Sequence, residues 1–325
     1  MNTAEELIAG IRARDRRALA RAITLAESTR PDHRDRAEAV LEALLGDTGH
    51  SVRIGISGPP GVGKSTFIEA FGLHVADQGH RVAVLAVDPS SSRTGGSILG
   101  DKTRMVELSR HPGVFIRPSP GGTQLGGVAR RTREAMLLCE AAGFDVVVVE
   151  TIGVGQSEVA VADMVDLFCL LVAPGGGDEL QGVKRGIMEL ADLVVVNKAD
   201  GDLAAAAGRA QGDYSNALHL VTPRWQAWTP AVLACSSLQG DGVAEVWSQV
   251  QRFHAAVEQD GELGRARADQ AVAWMWSEVR DTLVDRLRDR AQAADAVAPL
   301  EAEVAAGAVS ATAGARRLLE LFDRP

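Results

Sequence analysis

The 325-residue chain has few cysteines, and none is placed to bind a metal or to build a disulfide framework. Cys139, Cys169 and Cys235 are odd in number and lie far apart in apolar surroundings, which is typical of reduced thiols in a core. No apolar run reaches the ~18 residues that a membrane-spanning helix needs, and the first residues show no apolar signal core. The sequence therefore predicts a cytoplasmic protein without a membrane segment.

The chain also has too little positive charge for a dedicated nucleic-acid binder. Its formal net charge is −9, whereas phosphate backbones are bound by clustered Lys and Arg. Of its 34 basic residues only four are lysines, namely Lys64, Lys102, Lys184 and Lys198. Because a compact ammonium and a planar guanidinium recognise anions differently, we interpret these lysines as residues whose function arginine cannot supply.

Hydrophobic patterning divides the chain into three parts. Residues 1–50 have helical periodicity, and residues 51–257 alternate short β-branched runs with helical stretches. Nearly continuous apolar strands of this kind predict an α/β fold, with a parallel sheet covered by helices on both faces. Residues 258–325 are helical again, and Val272 and Trp276 belong to an apolar stripe there. This stripe would pack either against the chain's own sheet domain or, in a dimer that exchanges helices, against a second chain.

A glycine-rich phosphate-binding loop follows the first predicted strand. The run GPPGVGKST, which begins at Gly58, matches G-x-x-x-x-G-K-[ST] between a strand and a helix, as that motif requires. Lys64 would reach the β- and γ-phosphates, and the Ser65 hydroxyl would ligate Mg²⁺. The predicted nucleotide-binding residues of this loop are Gly61, Val62, Gly63, Lys64, Ser65 and Thr66. The motif therefore predicts the parallel sheet of a P-loop NTPase. Helical segments extend this domain at its N-terminal and C-terminal ends.

The segment LVVVNKAD predicts that the base is guanine. Asp200 can accept hydrogen bonds from the N1–H and the exocyclic N2–H₂ of guanine, a donor pair that adenine lacks. Asn197 would brace the phosphate loop, and Lys198 would lay its methylene stem along the purine. In the later segment AVLACSSLQGDGV, three residues stand where GTPases place backbone amides against guanine O6, namely Ser236, Ser237 and Leu238.

Three acidic residues near predicted strand ends are candidates for binding Mg²⁺. Asp88 ends VAVLAVD, Asp101 lies in GDKTRM, and Glu150 ends FDVVVVE. Carboxylates at the carboxyl ends of parallel strands face the ligand crevice, and hard oxygen ligands suit Mg²⁺. The direct ligand stays open among the three, because Glu150-x-x-Gly153 stands where a Ras-like protein has Asp-x-x-Gly. The predicted metal-binding residues are Ser65, Asp88, Asp101 and Glu150.

Hydrolysis requires positive charge beyond Lys64, and either Arg104 or Lys184 could supply it. The predicted catalytic residues are Lys64, Asp101, Arg104, Glu150 and Lys184. Lys184 ends a glycine-rich stretch, PGGGDELQGVK, which lacks GKS and so is not a second phosphate loop. Such a stretch is either a switch that GTP and GDP order differently or a flexible connection. The predicted switch residues are Asp178, Glu179, Gln181 and Lys184.

Together these motifs resemble those of the MeaB/ArgK GTPases, chaperones of adenosylcobalamin-dependent acyl-CoA mutases, chiefly methylmalonyl-CoA mutase. The resemblance covers essentially the whole chain and rests on GPPGVGKST, VLAVDPSSSRTGGSILGDKTRM, HPGVFIRPSPGGTQLGGVARRTRE, VVVVETIGVGQSE, GGGDELQGVKRGI and VNKAD. It implies slow GTP hydrolysis, a homodimer built through residues 258–325, and nucleotide-gated delivery or protection of the mutase's cobalamin. It also implies that Asp178 and Lys184 lie in a loop that senses the mutase.

Three other functions fit parts of the sequence. Nickel-insertion GTPases share the deeper class, but their cargo sites use clustered Cys and His, whereas the seven histidines here are scattered. A kinase or ATPase serving amino-acid transport would turn over ATP as well as GTP, which Asp200 disfavours. A non-catalytic scaffold would show no turnover even with its partner. We expect a Mg²⁺-dependent GTPase that binds GTP and GDP and meets cobalamin only through its partner mutase.

Overall fold

The computed structural model divides the chain into two compact units, Met1–Gln270 and Ala271–Pro325. The structure describes residues 3–87, 105–118, 125–151, 157–174, 185–293 and 295–322. The first unit contains a β-sheet with helices around it, and the second consists of helices.

A parallel β-sheet forms the centre of the first unit. Its strands are β1 (Val52–Ser57), β2 (Val82–Val87), β3 (Val114–Pro118), β4 (Val146–Thr151), β5 (Leu167–Val172), β6 (Leu193–Val196) and β7 (Ala231–Ala234). The seven strands lie in the order β3-β2-β4-β1-β5-β6-β7, and every neighbouring pair is parallel. Strands β4, β5 and β6 are buried along their whole length, which explains their continuous apolar sequences. The predicted parallel α/β sheet is confirmed.

Helices surround the sheet and extend the chain at both ends. Those of the first unit are α1 (Ala4–Arg12), α2 (Arg16–Ala26), α3 (Pro31–Leu44), α4 (Lys64–Asp77), α5 (Val106–Arg110), α6 (Leu125–Ala141), α7 (Ser157–Ala162), α8 (Arg185–Met188), α9 (Ala204–Leu218) and α10 (Val243–Gln259). Helix α11 (Glu262–Ala293) begins in the first unit, and α12 (Val297–Ala305) and α13 (Ala311–Phe322) follow it. Within the described part of the chain, no helix combines the length and the apolar character needed to cross a membrane.

The N-terminal helices are stabilised by a capping box and are linked to the sheet by an ion pair. A capping box starts α1, in which Thr3 Oγ1 accepts from the Glu6 N–H at 3.2 Å and Thr3 N donates to Glu6 Oε2 at 3.1 Å. Helices α1, α2 and α3 pack on one another and on α6. The Arg117 side chain of β3 donates to Glu27 and, at 3.1 Å, to Thr24 Oγ1 at the end of α2. The N-terminal helices are therefore linked to β3, the strand at one edge of the sheet.

A buried ion network joins the amino-terminal edge of the sheet to the start of α11. Arg53 donates to both carboxylate oxygens of Glu140, at 2.7 and 3.0 Å. Arg267 donates to both oxygens of Asp166, at 2.9 and 2.7 Å, and to the Ser51 carbonyl at 2.6 Å. Asp166 also accepts from the Arg53 backbone N–H at 2.8 Å. Because losing one partner of a buried pair typically costs about 3–5 kcal/mol, this network fixes the first turns of α11.

Asp192, directly before β6, carries a buried carboxyl group whose protonation depends on folding. Its Oδ2 accepts from the Phe168 N–H at 2.8 Å and lies 3.7 Å from a guanidinium nitrogen of Arg224. Burial raises the pKa of Asp192 to about 7, although Arg224 and the Phe168 N–H oppose the rise. The folded chain thus binds this proton more tightly than the unfolded chain, so the contribution of Asp192 to the free energy of unfolding falls as pH rises from about 4 to about 7.

Replacing Asp192 by Asn should remove this dependence, because an amide keeps an oxygen for the Phe168 N–H but does not titrate in this range. We expect the wild type to lose roughly 3 kcal/mol relative to Asp192→Asn between pH 4 and pH 7. Urea unfolding of both proteins at several pH values measures the difference. A difference that stays constant over this range would contradict the raised pKa.

Candidate nucleotide-binding site

The predicted phosphate loop lies at the carboxyl end of the central strand β1 and leads directly into α4. Gly58, Gly61 and Gly63 have φ values of 156°, 80° and 92°. A Cβ added at Gly58 would lie 2.4 Å from the carbonyl oxygen of Leu171, and one added at Gly63 would lie 2.8 Å from the side-chain nitrogen of Asn197. Glycine is therefore required at both positions, for its backbone conformation and for the close approach of neighbouring groups.

Lys64, the first residue of α4, lies against the phosphate loop. Its Nζ donates to the carbonyl oxygens of Gly58 at 2.7 Å and Pro59 at 3.3 Å. Burial lowers the pKa of Lys64, while the charges of Glu150 and Glu158 oppose that change. The ammonium group of Lys64 is therefore partly desolvated and lies at the loop that the motif assigns to phosphate binding.

Sequence reasoning missed Glu158, which is the second residue of α7. Its side chain is 0% exposed, and its charge acts on Lys64. An acidic residue in the first turn of a helix is common, because it interacts favourably with the helix dipole. Glu158 therefore did not stand out in the sequence. No spacing or motif in the sequence marks this residue as part of the site.

Two residues of the predicted guanine motif contact the phosphate loop. The buried Asn197 donates through Nδ2 to the Val62 carbonyl at 2.9 Å, and its Oδ1 accepts from the Ser237 N–H at 3.1 Å and the Ser237 hydroxyl at 2.6 Å. Lys198 Nζ donates to the Gly61 carbonyl at 2.6 Å. The structure thus brings the end of β6, the segment after β7 and the phosphate loop into one hydrogen-bonded cluster.

Asp200 lies at the edge of this cluster, next to the segment that follows β7. The Ser236 hydroxyl donates to a carboxylate oxygen of Asp200 and accepts from the Gln239 N–H at 3.1 Å. Ser236 and Ser237 are buried, whereas Leu238 is 82% exposed. The hydrogen bond from Ser236 orients the Asp200 carboxylate at the carboxyl end of the sheet.

The described oxygen donors near the phosphate loop suit a hard cation. Ser65 and Thr66 lie in the first turn of α4, and Glu150 is buried near the end of β4, which pairs with β1. The Thr151 hydroxyl donates to Ser57 Oγ at 2.9 Å. Among the described residues no group of three His, Cys, Asp or Glu side chains is arranged to hold a metal. A hydroxyl and a single carboxylate fit Mg²⁺, which commonly keeps several waters.

Several predicted site residues lie outside the described residues. They are Asp88, Asp101, Lys102 and Arg104 in the first such segment, and Asp178, Glu179, Gln181 and Lys184 in a later one. The first segment follows β2 in the chain, and the later one follows β5. The described part of the site consists of the phosphate loop, the ends of β4 and β6, and the segment after β7.

Known proteins resemble this chain over most of its length. The family model described as Methylmalonyl Co-A mutase-associated GTPase MeaB matches residues 19–292. A putative GTPase of Caulobacter vibrioides is 58% identical over 316 residues, which cover 97% of this chain and 95% of that protein. The methylmalonic aciduria type A homolog, mitochondrial, of Mus musculus is 46% identical over 328 residues, which cover 98% of this chain and 79% of that protein.

A solved structure has a similar fold. The crystal structure of a LAO/AO transport system kinase superposes with a TM-score of 0.77 at 38% identity, and the match covers 100% of this chain and 99% of that one. The phosphate loop, the fold and the relatives named as GTPases agree with one another. The chain therefore belongs to the MeaB family and is a GTPase that binds guanine nucleotide.

Proposed function

We propose that this GTPase acts with Mg²⁺ as a nucleotide-controlled chaperone of an adenosylcobalamin-dependent acyl-CoA mutase, with methylmalonyl-CoA mutase as the expected client. The name of the family supports a mutase partner, and the name of the mouse relative refers to methylmalonic aciduria. Cobalamin enters only through the partner, and its loading or protection is what the nucleotide would gate. The proposal places the protein in the cytoplasm, as the sequence analysis predicts.

The observation that carries the nucleotide part of this proposal is the direct contact between the guanine motif and the phosphate loop. Asn197 and Lys198 donate to the carbonyl oxygens of Val62 and Gly61, so a base bound at Asp200 lies beside the phosphates bound at the loop. The Asp200 carboxylate would accept from guanine N1–H and N2–H₂. The backbone amides that would meet guanine O6 are those of Ser236, Ser237 and Leu238.

The phosphates would be held by the backbone N–H groups of the loop, by the N-terminus of α4 and by Lys64. Ser65 would hold Mg²⁺ together with Asp88, Asp101 or Glu150, and the bound ion would neutralise charge on the β- and γ-phosphates. Water would attack the γ-phosphate in line with the leaving oxygen. Arg104 or Lys184 would complete charge stabilisation once the mutase orders the segment around Lys184, a segment that includes Asp178, Glu179 and Gln181.

Steady-state turnover of GTP and ATP by the purified chain, with and without a cobalamin-dependent acyl-CoA mutase, tests the proposal. We expect slow, GTP-selective turnover that rises when the mutase is added, and we expect Lys184→Ala to bind GTP but to lose the stimulation. A rate of GTP turnover that does not change when the mutase is added would contradict the chaperone function. Equal turnover of ATP and GTP would favour the alternative of an ATPase or kinase in amino-acid transport; the similar crystal structure is described as that of a transport system kinase.

The proposal includes a homodimer built through the arm, residues 258–325. Helix α11 carries five apolar residues that are 39–56% exposed in the single chain, namely Val272, Met275, Trp276, Val279 and Leu283. Their spacings of three, one, three and four place them on one side of the helix. A contiguous exposed apolar face of this kind marks a protein interface, and a second copy of the chain offers a matching one.

Replacing Trp276 by Glu should convert the dimer to a monomer, because the new carboxylate would have to be desolvated in the interface. Sedimentation equilibrium of wild type and variant at equal concentration measures the change. Ser277→Glu is the control, since it adds the same charge on a different side of α11 and should leave the dimer intact. Equal masses for all three proteins would contradict an interface at this stripe.

A further inference from the structure

Helix α5 begins without a capping side chain of its own. Met105 precedes its first residue, Val106, and occupies the position where Ser, Thr, Asp or Asn usually accepts hydrogen bonds from the first turn. The Met105 side chain makes no such bond, because it has no oxygen to offer. The first N–H groups of this five-residue helix therefore need an acceptor from elsewhere in the chain.

Glu69 of α4 supplies this acceptor. Its Oε1 accepts from the Glu107 N–H at 2.9 Å and, in a longer bond, from the Leu108 N–H at 3.4 Å. These are the second and third residues of α5, whose N–H groups a local capping side chain normally binds. The carboxylate also interacts favourably with the positive end of the helix dipole. Helix α5 is thus capped by a side chain from another helix.

Apolar packing holds the same end of α5 against α4. Met105 and Leu108 are 0% exposed and belong to the same core cluster as Phe67 of α4. A Cβ added at Gly72 of α4 would lie 2.8 Å from Leu108 Cδ1, so the two helices approach each other closely. The core thus sets the distance between the helices, and the Glu69 cap sets the point along α4 at which α5 begins.

Both helices adjoin parts of the nucleotide site in the chain. Helix α4 begins at Lys64, directly after the phosphate loop, and Glu69 follows about 7.5 Å further along the helix axis. Helix α5 and Met105 directly follow the segment that contains Arg104, and consecutive Cα atoms are about 3.8 Å apart. A local cap would stabilise α5 alone, whereas a cap from α4 also fixes the end of that segment relative to the phosphate loop.

We propose that Glu69 is a positioning residue for GTP hydrolysis, which acts by fixing the end of the segment that contains Arg104 relative to the phosphate loop. This inference rests on the proposed function in one respect, the use of Arg104 to stabilise charge on the transferred phosphoryl group. A displacement of about 1 Å can lower a rate by up to about 10²-fold, so an arginine whose segment has lost its anchor stabilises that charge less well. Binding of GTP depends on the phosphate loop and the guanine motif and does not require the cap.

Single-turnover hydrolysis of GTP by the purified full chain with Mg²⁺ tests this inference, together with GTP affinity from competition against a fluorescent GDP analogue. We expect Glu69→Ala to lower the hydrolysis rate roughly tenfold or more, while its unchanged GTP affinity shows that the site is folded. Glu69→Gln should restore most of the rate, because its amide oxygen still accepts from both N–H groups. Glu107→Ala is the matched control, since it removes an exposed glutamate side chain from α5 but keeps the capped N–H.

Arg104→Ala and the double variant Glu69→Ala/Arg104→Ala separate this inference from the proposed function. If Glu69 acts through Arg104, the double variant should hydrolyse GTP no more slowly than Arg104→Ala. A further loss in the double variant would overturn the inference and leave the role of Arg104 in place. A normal rate for Arg104→Ala would contradict the role that the proposed function gives Arg104, and with it the role of Glu69.

The single variants can overturn the inference independently. A normal rate for Glu69→Ala, or an equal loss in Glu107→Ala, would show that the cap does not affect the reaction. Equally low rates for Glu69→Ala and Glu69→Gln would show that the charge of Glu69, and not its capping hydrogen bonds, is what matters. A loss of GTP affinity that matches the loss of rate would show a structural effect on the whole site.

Discussion

Replacing Asp200 by Asn should lower the affinity for GTP by about 10²- to 10⁴-fold and should allow xanthosine nucleotides to bind. In the proposed site the carboxylate accepts two hydrogen bonds from guanine, and each such bond to a charged group contributes about 1.5–3 kcal/mol. An amide keeps only one acceptor and presents an N–H₂ group to the N2–H₂ of guanine. Xanthine has a carbonyl at that position, which accepts from the amide.

Competition of GTP and XTP against a fluorescent GDP analogue measures both effects. The Ser236 hydroxyl donates to Asp200 and can still donate to the side-chain amide oxygen in Asp200→Asn, so the fold of the site is preserved. Asp202→Asn is the matched control, because Asp202 is an exposed aspartate two residues further on. If Asp200→Asn and Asp202→Asn bound GTP equally well, hydrogen bonding of Asp200 to the guanine base would be excluded.

Replacing Lys64 by Ala should lower kcat for GTP by about 10²- to 10³-fold, the effect of removing one preorganised donor from a transition state. The Lys64 ammonium is partly desolvated and makes its hydrogen bonds to loop carbonyls, so its interaction with a phosphate is stronger than in water. Lys64→Arg should not restore the rate, because a longer, planar fork does not fit between those carbonyls.

Single-turnover hydrolysis at saturating GTP separates this effect from weaker binding. Gln78→Ala is the control, since Gln78 is exposed at the opposite end of α4 and takes no part in the site. A rate for Lys64→Ala close to that of the control would exclude Lys64 from the chemical step.

The sheet and the described contacts of the nucleotide motifs could be predicted from local sequence. Continuous apolar runs such as VVVVE and LVVVN identify strands buried on both faces, because both sides of a central strand are covered. The contact of Asn197 with the phosphate loop follows from the position of each motif at the carboxyl end of a strand. Such inferences succeed because the carboxyl ends of parallel strands lie at the same end of the sheet.

Other contacts could not be predicted, because they depend on side chains that strand order does not place. Glu158 approaches Lys64 through the packing of α7, and no spacing in the sequence encodes that packing. Lys198 was expected along the purine, and the structure adds a hydrogen bond from its Nζ to Gly61. The cap on α5 comes from Glu69, 38 residues before its hydrogen-bond partner, and no local sequence pattern indicates it.

The ion network at the amino-terminal edge of the sheet has a consequence for synthesis of the chain on the ribosome. Asp166 and Arg267 are 101 residues apart, and translation proceeds at about 5–20 residues per second. The Asp166 carboxylate is therefore made roughly 5–20 s before its guanidinium partner. The nascent sheet cannot bury that edge in its final form until the start of α11 has been made, which delays completion of the nucleotide-binding unit until at least about four-fifths of the chain has been translated.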